Sequence, residues 1–419
     1  MAEVIVIGCG AAGFLAAISA ARAGAEVTVL ERMGQPGRKL MITGKGRCNI
    51  TNSCSMDEMI AHIPGNGKFL YGAFSQFTNA DLIRLLEEHG LPTKVERGGR
   101  VFPQSDRAPD VVHTFESILD ELHCRLLLHR RILHLEITQG LVTAAVDADG
   151  NRYRADAFII TTGGASYPRT GSTGDGYELA RSAGHTVVAP LPALVPLACG
   201  LPDPQELQGL SLRNVRVSLL AGNRTLGSEF GEMLFTHFGV SGPVILTLSR
   251  TASLYWKKHP DGLLDLAIDL KPALTREQLD ARLQRDFAKY SRKQLKAGLH
   301  DLLPQSLIPS VIDAACLSPV QEVNQITRKE RLRLVGTLKE FTLPLTGTRP
   351  LSEAIVTAGG VSLKEISPST FASKKVPNLF FAGEVIDVDG FTGGYNLQAA
   401  FSSGCVAGRN AAAFRKEEL

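Results

Sequence analysis

The sequence predicts an α/β protein whose two chain ends build one dinucleotide-binding domain around a parallel sheet, while the middle supplies a β-rich insert. Three observations predict it. The first 31 residues read as strand, glycine turn, helix and strand; short Pro-punctuated strands begin near residue 190; and a strand, two glycines and an alanine-rich helix return between Val376 and Ala413. The 419 residues carry 45 Lys+Arg against 42 Asp+Glu, a net charge of +3, so the chain as a whole is not a polycation built to coat nucleic acid or membrane. Its seven cysteines are odd in number and scattered, which argues against a secreted disulfide framework and fits a reducing cytoplasm. No Cys/His cluster has zinc-ligand spacing, and no metal is expected. Glycine alone is unusual: 41 occur where an average content of about 7% gives roughly 29.

Val4-Ile5-Val6-Ile7 is a β-branched run suited to a parallel strand buried on both faces. Gly8-Cys9-Gly10-Ala11-Ala12-Gly13 follows as G-x-G-x-x-G, then helix formers from Phe14 to Arg22, then a second strand from Ala25 to Leu30 that ends at Glu31. In such a unit Gly8 permits the turn, Gly10 lets backbone amides approach a pyrophosphate at the helix N-terminus, and Gly13 lets helix and strand pack; Ala12 lies in the same stretch. Glu31 stands 18 residues after Gly13, where an acid receives ribose hydroxyls. Its charge would repel a 2′-phosphate, which leaves FAD or NAD and excludes NADP at this site. The 18 uncharged residues from Val4 to Ala21 reach the length of a membrane helix, but three glycines interrupt them and no membrane span is expected.

Pro36 to Leu40 and Thr43 to Asn49 place Arg38, Lys39, Lys45 and Arg47 among glycines that include Gly46, a loop suited to a diphosphate, although a solvated basic loop has the same composition. Short β-rich runs follow at Ile132 to Ile137, Leu141 to Val146 and Tyr153 to Ile160, with Asp149-Gly150 as a hairpin turn. Ile132 is counted among the cofactor-binding positions. Ala157 to Thr162 runs into Gly163-Gly164, and Asp175 stands just before a helical segment from Tyr177, so a second helix N-terminus is expected to face the ligand.

In the insert, Phe235 to Pro243 offers Thr236, His237 and Ser241 as polar groups for a substrate, or an ordinary Gly-Pro turn. Residues 271–300 read as helical, with Leu279, Leu283, Phe287, Tyr290 and Leu295 on one apolar face. Eight cations against three acids give that segment a net charge of +5, either an electrostatic footprint for RNA or a solvated face.

Val376 to Glu384 is a strand ending in Gly383-Glu384, followed by Asp387 and by Gly393-Gly394-Tyr395-Asn396-Leu397 at the head of the last helix. The acids suit ribityl hydroxyls, and a helix N-terminus behind two glycines suits negative charge at the N1/O2 edge of a reduced flavin. This second closure favours FAD. Of the 41 glycines, 22 fall in residues 1–50, 161–184 and 359–408, where they are expected to contact the cofactor through the backbone.

The combination of GCGAAG at 8–13, PGRKL at 36–40, GKGRCNITN at 44–52, HIPGNGKFLYGAF at 62–74, TGSTGDGY at 170–177, FTHFGVSGP at 235–243 and GEVIDVDGFTGGYNLQ at 383–398 resembles the BaiN/RdsA flavoprotein family over nearly the whole chain. Lys45 and Cys9 depart from the family pattern without removing a backbone contact. The resemblance implies a discontinuous Rossmann-like FAD-binding domain (1–189 and 345–419), an inserted β-rich domain (190–270 and 334–344) and a small helical subdomain (271–333). It implies FAD as cofactor, with NADH or NADPH as transient electron donor. Family activities include reduction of a 3-dehydro-bile-acid enone, ribosomal-RNA dihydrouridine synthesis and aminoacetone oxidation. The first is the expected one, with a hydrophobic small molecule as substrate; ribosomal RNA held by 271–300 is the alternative, and amine oxidation the third. Tyr395 and His237 are the candidates for proton donor or carbonyl anchor.

Overall fold

In the computed structural model, residues 1–201 and 204–415 are described, and the chain divides into two compact units, Met1–Leu191 with Leu351–Leu419, and Pro192–Pro350. The first unit is built on a five-stranded parallel sheet in the order Leu379–Phe381, Ala157–Ile160, Glu3–Ile7, Glu26–Leu30, Arg125–Leu127. Its central strand pairs Val4 with Ala157 on one side and Val27 on the other, and Val4 to Ile7 are all buried, as the β-branched run requires. The long uncharged run thus resolves into this strand and the helix Ala11–Arg22, and among the described residues no helix is long and apolar enough to cross a membrane.

Tyr153 to Ile160 is not one strand. Arg152–Tyr153 ends an antiparallel meander with Ile132–Thr138 and Leu141–Asp147, whereas Ala157–Ile160, buried at every position, joins the parallel sheet. Asp147 shapes the turn from Leu141–Asp147 into Arg152–Tyr153: its Oδ1 accepts from the backbone N–H groups of Asp149 (3.0 Å) and Asn151 (2.8 Å).

The helix Tyr395–Ala413 lies against Ala11–Arg22 at backbone distance. A Cβ on Gly404 would stand 2.2 Å from the carbonyl oxygen of Ala12, and one on Gly408 would stand 2.1 Å from that of Ala16. These two glycines, four residues apart on one helix face, therefore serve helix packing and not the cofactor, which corrects the reading of residues 359–408 as wholly a cofactor segment. Phe14, Phe115 and Phe401 close the same side, with Phe115 5.1 Å from Phe14 and 5.4 Å from Phe401 between ring centres.

The second unit holds a closed antiparallel barrel in the order Leu197–Cys199, Gly239–Ser241, Arg224–Thr236, Ser211–Ala221, Leu264–Asp269, Phe341–Thr348. Its strands and the helices Arg276–Lys289 and Arg328–Lys339 share one apolar core, which includes Val217, Leu266, Leu279, Leu283, Phe287 and Leu334. The helix within 271–300 stops at Lys289. Residues beyond it turn back, with Lys293 and Ser291 carbonyls accepting from Val323 (2.9 Å) and Asn324 (3.0 Å), so Tyr290 and Leu295 do not continue a single helical face.

An acid-labile cluster ties the first unit's helix end to its last strands. Buried His185 lies 2.7 Å from Ser373 Oγ and 3.3 Å from Glu365, which also accepts from Lys375 Nζ (2.7 Å) and the Thr186 amide (2.8 Å). Burial works to raise the Glu365 carboxyl but is outweighed by Lys375 and Thr186, which hold it down at about 2. A carboxyl depressed in the folded state stabilises fully above its unfolded value of about 4.3 and loses that contribution as the pH falls toward 2. Melting temperature measured over this window should fall less steeply for Glu365→Gln than for the wild type; parallel curves would refute the linkage.

Candidate functional site

The glycine loop after the central strand contains glycines of two kinds. Gly8 has φ +98°, and a Cβ there would stand 2.9 Å from Thr161 O; a Cβ on Gly13 would stand 2.0 Å from Gly8 O. Both are demanded by the protein's own packing. Gly10, the N-cap of Ala11–Arg22, has an ordinary φ of −95°, and a Cβ there would meet nothing within 4 Å. Nothing among the described residues requires glycine at this position. Open space in front of a helix N-terminus is what a pyrophosphate needs, and here the residues fit a dinucleotide. Ala12 is a packing residue: a Cβ on Gly383 would come within 2.7 Å of its methyl.

Glu31 is 8% exposed, its Oε2 accepting from Cys9 N (2.7 Å) and its Oε1 from Met33 N (2.8 Å). Burial raises its pKa against the pull of these amides. Each oxygen keeps further acceptor capacity for a ribose hydroxyl. Asp175, at the start of Asp175–Ser182, is engaged by protein: Arg131 donates to both of its oxygens (2.9 and 3.0 Å) and Arg32 adds a third bond (2.9 Å). It fastens that helix to the residues flanking Glu31 and buried Ile132.

A second group gathers where Gly163-Gly164 meets Gly383-Glu384. Lys39 Nζ donates to Glu384 Oε2 (2.8 Å) and to Ser166 Oγ (2.7 Å), and Glu384 Oε1 accepts from the Thr357 amide (2.8 Å). A Cβ on Gly164 would stand 2.5 Å from Thr357 Oγ1, and one on Gly163, at φ +73°, 2.9 Å from Ser172 Oγ. Ser166 and Thr357 carry no motif and were not legible in the sequence. Asp387 lies nearby in the chain, its carbonyl accepting from Asn66 Nδ2 (2.8 Å).

The third group surrounds the N-terminus of the 19-residue helix Tyr395–Ala413. With its amide in the orientation that satisfies both ends, Asn49 accepts from Gly394 N (3.0 Å) and donates to Thr51 O (3.0 Å). Gly394, at φ +100°, has no room for a side chain, because a Cβ would stand 2.4 Å from Thr51 O. Asn52 donates to Gly393 O (3.0 Å), and Asn396 brackets the preceding loop through Gly390 N and O, both at 2.8 Å. Tyr395 is buried, with Gly393 beneath its ring; Leu397 packs partly buried on the same core. Burial, Cys54 and Glu58 push the Tyr395 phenol above its ordinary value.

The other expected residues make different contacts. Arg47 pairs with Glu96 (2.8 Å) and Asp106 (3.1 Å) and lies 4.1 Å over the Phe102 ring, while Arg38 is exposed at the head of Arg38–Ile42 and Gly46 holds φ +83°. His237 belongs to the barrel unit, exposed in its turn with its ring edge-on to Phe238 at 4.9 Å. In the basic segment Arg282 pairs with Asp286 (2.8 Å) and Lys289 with Asp301 (2.7 Å), while Arg285, Arg292, Lys293 and Lys296 are exposed.

Comparison with known proteins gives a consistent picture. The 3-dehydro-bile acid delta(4,6)-reductase of Clostridium scindens is 32% identical over 98% of this chain and 99% of its own. A ribosomal RNA dihydrouridine synthase of Haemophilus influenzae is 32% identical over 96% of each. Among solved structures, 3-ketosteroid-delta4-(5alpha)-dehydrogenase from Rhodococcus jostii RHA1 is alike in fold, with a TM-score of 0.53 at 19% identity over 99% of this chain and 97% of that one. The HI0933-like protein Rossmann domain matches residues 2–410. With a parallel sheet, a dinucleotide cradle and full-length relatives in agreement, this chain belongs to the HI0933-like Rossmann family of FAD-dependent oxidoreductases.

Proposed function

We propose that this protein reduces a carbon–carbon double bond conjugated to a carbonyl, with FAD in the site described above and NADH or NADPH as reductant. One observation carries the reading: two relatives equally similar to this chain bear names that differ in substrate and share a chemistry. Saturating a bile-acid enone and saturating the C5=C6 bond of uracil both add hydride and proton across an alkene polarised by a carbonyl.

FAD, when bound, supplies the hydride from N5. The remaining work falls to the chain. Gly8, Gly10 and the N-terminus of Ala11–Arg22 receive the pyrophosphate, and Glu31 the ribose hydroxyls. Arg38, Lys39, Gly46, Arg47, Asn49, Gly163, Gly164, Gly383, Glu384 and Asp387 are assigned to the rest of the cofactor, Lys39 and Glu384 acting as the ion pair they already form. The N-terminus of Tyr395–Ala413, behind Gly393 and Gly394, would favour negative charge on the flavin. Tyr395, whose phenol holds its proton more tightly than usual, suits a hydrogen bond to the substrate carbonyl.

The first substrate proposed is a hydrophobic fused-ring enone of the 3-dehydro-bile-acid type. A uracil of ribosomal RNA is the second, supported by exposed Arg285, Arg292, Lys293 and Lys296. The test is anaerobic: the yellow protein is bleached with NADH or NADPH, then mixed with the enone or with ribosomal RNA lacking dihydrouridine. Return of the oxidised flavin spectrum with one of them is expected. Flavin that stays reduced with both, yet reoxidises in air while a small aminoketone is consumed, would overturn the reading.

A further inference from the structure

Beside the N-terminus of the last helix stands a histidine, the first residue of HIPGNGKFLYGAF at 62–74, that has so far been given no role. His62 caps the end of Met56–Ala61 and stacks face to face on Tyr395, the ring centres 4.4 Å apart and the planes 11° from parallel. Its Nδ1 lies 2.7 Å from the carbonyl oxygen of Glu58. A carbonyl only accepts, so Nδ1 carries the proton, and Nε2 is the nitrogen free to gain and lose one. The ring is exposed, and so open to exchange with water.

Its backbone is held as firmly as its ring. The His62 carbonyl accepts from Phe391 N (2.9 Å), Gly65 N donates to Asp389 O (3.0 Å), and Asn66 Nδ2 to Asp387 O (2.8 Å). Gly65 is required for this pairing, because a Cβ there would stand 2.0 Å from Asp389 Oδ1. The segment 62–66 is thus laced to 387–391, the stretch between Glu384 and the Gly393-Gly394 pair.

We infer that His62 is the proton donor of the reduction, with Tyr395 as the surface that orients it; the inference rests on the function proposed above. Hydride and proton add across the double bond: the two electrons come from the reduced flavin, itself reloaded by the reduced nicotinamide dinucleotide. The proton leaves Nε2 of the His62 imidazolium for the carbon next to the carbonyl. Nδ1–H stays on the Glu58 carbonyl, and Nε2 is reprotonated from solvent. The ionisable groups of the elements packed here are Tyr395 on the last helix, Glu58 and Cys54, which both act on Tyr395, and Asp387 and Asp389 on the paired segment, which stand against Asn66 and Gly65. Glu58 is already committed to Ser55, accepting from its amide (3.1 Å) and hydroxyl (3.2 Å).

The experiment measures single-turnover reoxidation of the reduced holoenzyme by its substrate from about pH 5 to 9, a range that spans imidazole titration. The wild-type rate should fall about tenfold per pH unit once His62 deprotonates, and His62→Gln should be slower by about a hundredfold with that limb gone. NMR of histidine-labelled holoenzyme supplies a readout independent of turnover. The His62 ring proton should be shifted by the Tyr395 face, lose that shift in Tyr395→Leu, and titrate with the midpoint of the kinetic limb. An unchanged profile in His62→Gln, or a wild-type His62 midpoint away from the kinetic limb, would overturn the inference. If the wild type reduces neither enone nor RNA, the proposed function has failed instead.

Discussion

Gly10→Val is expected to purify colourless while melting like deflavinated wild-type protein. The backbone at Gly10 is one that any residue adopts, and the added side chain would enter space where no atom of the described residues lies within 4 Å, so the fold has little to lose. The cofactor has much to lose, because that space lies in front of the helix N-terminus. Flavin affinity should drop by about a hundredfold or more, equivalent to about 2.7 kcal/mol. Bound flavin per protein and the melting curve report the two halves separately. A yellow, stoichiometrically loaded Gly10→Val protein would remove the glycine loop from the cofactor site.

Gly408→Leu should behave in the opposite way, damaging the fold before any ligand is considered. Its Cβ would stand 2.1 Å from a backbone oxygen of Ala16, and backbone has no rotamer with which to yield. Overpacking in a core costs about 1–3 kcal/mol even where side chains adjust, so a loss at or above the top of that range is expected, a large share of the stability of a typical domain. The protein should fail to accumulate in soluble form or melt far below the wild type. Gly336→Ala is the control: this glycine sits inside Arg328–Lys339 with its nearest neighbour at 3.8 Å, and alanine there should stabilise by up to about 1 kcal/mol. Wild-type melting of Gly408→Leu would mean that the two helices do not touch as described.

What could be read from the sequence was whatever is encoded locally. The βαβ unit from Glu3 to Leu30 was legible because strand, turn and helix signals lie within thirty residues and the period changes once. Glu384 was legible because it follows a strand and a glycine. Its partners were not: Ser166 and Thr357 reach it across 218 and 27 residues with no pattern of their own. Asp175 matched a helix-terminal acid, yet its oxygens are engaged by Arg32 and Arg131, which are remote in sequence. The charge of residues 271–300 was legible as a sum, but its distribution was not, since Asp301 lies outside the segment and pairs with Lys289. Glycine count located the dense regions without separating helix contact from ligand contact, because both demand the same missing side chain.

The order of strands in the parallel sheet also constrains how the protein is made. The edge strand Leu379–Phe381 and the helix that covers Ala12 and Ala16 come from the last tenth of the chain, while the strand that Leu379–Phe381 joins is Ala157–Ile160 and the covered helix, Ala11–Arg22, comes from the first tenth. During synthesis the N-terminal helix must therefore wait, its alanine face uncovered, until the insert has left the ribosome and the final helix can dock. Residues 192–350 make their own core and need not wait. The nucleotide domain is the last part of the molecule to close, and a chain truncated before Gly404 leaves it open.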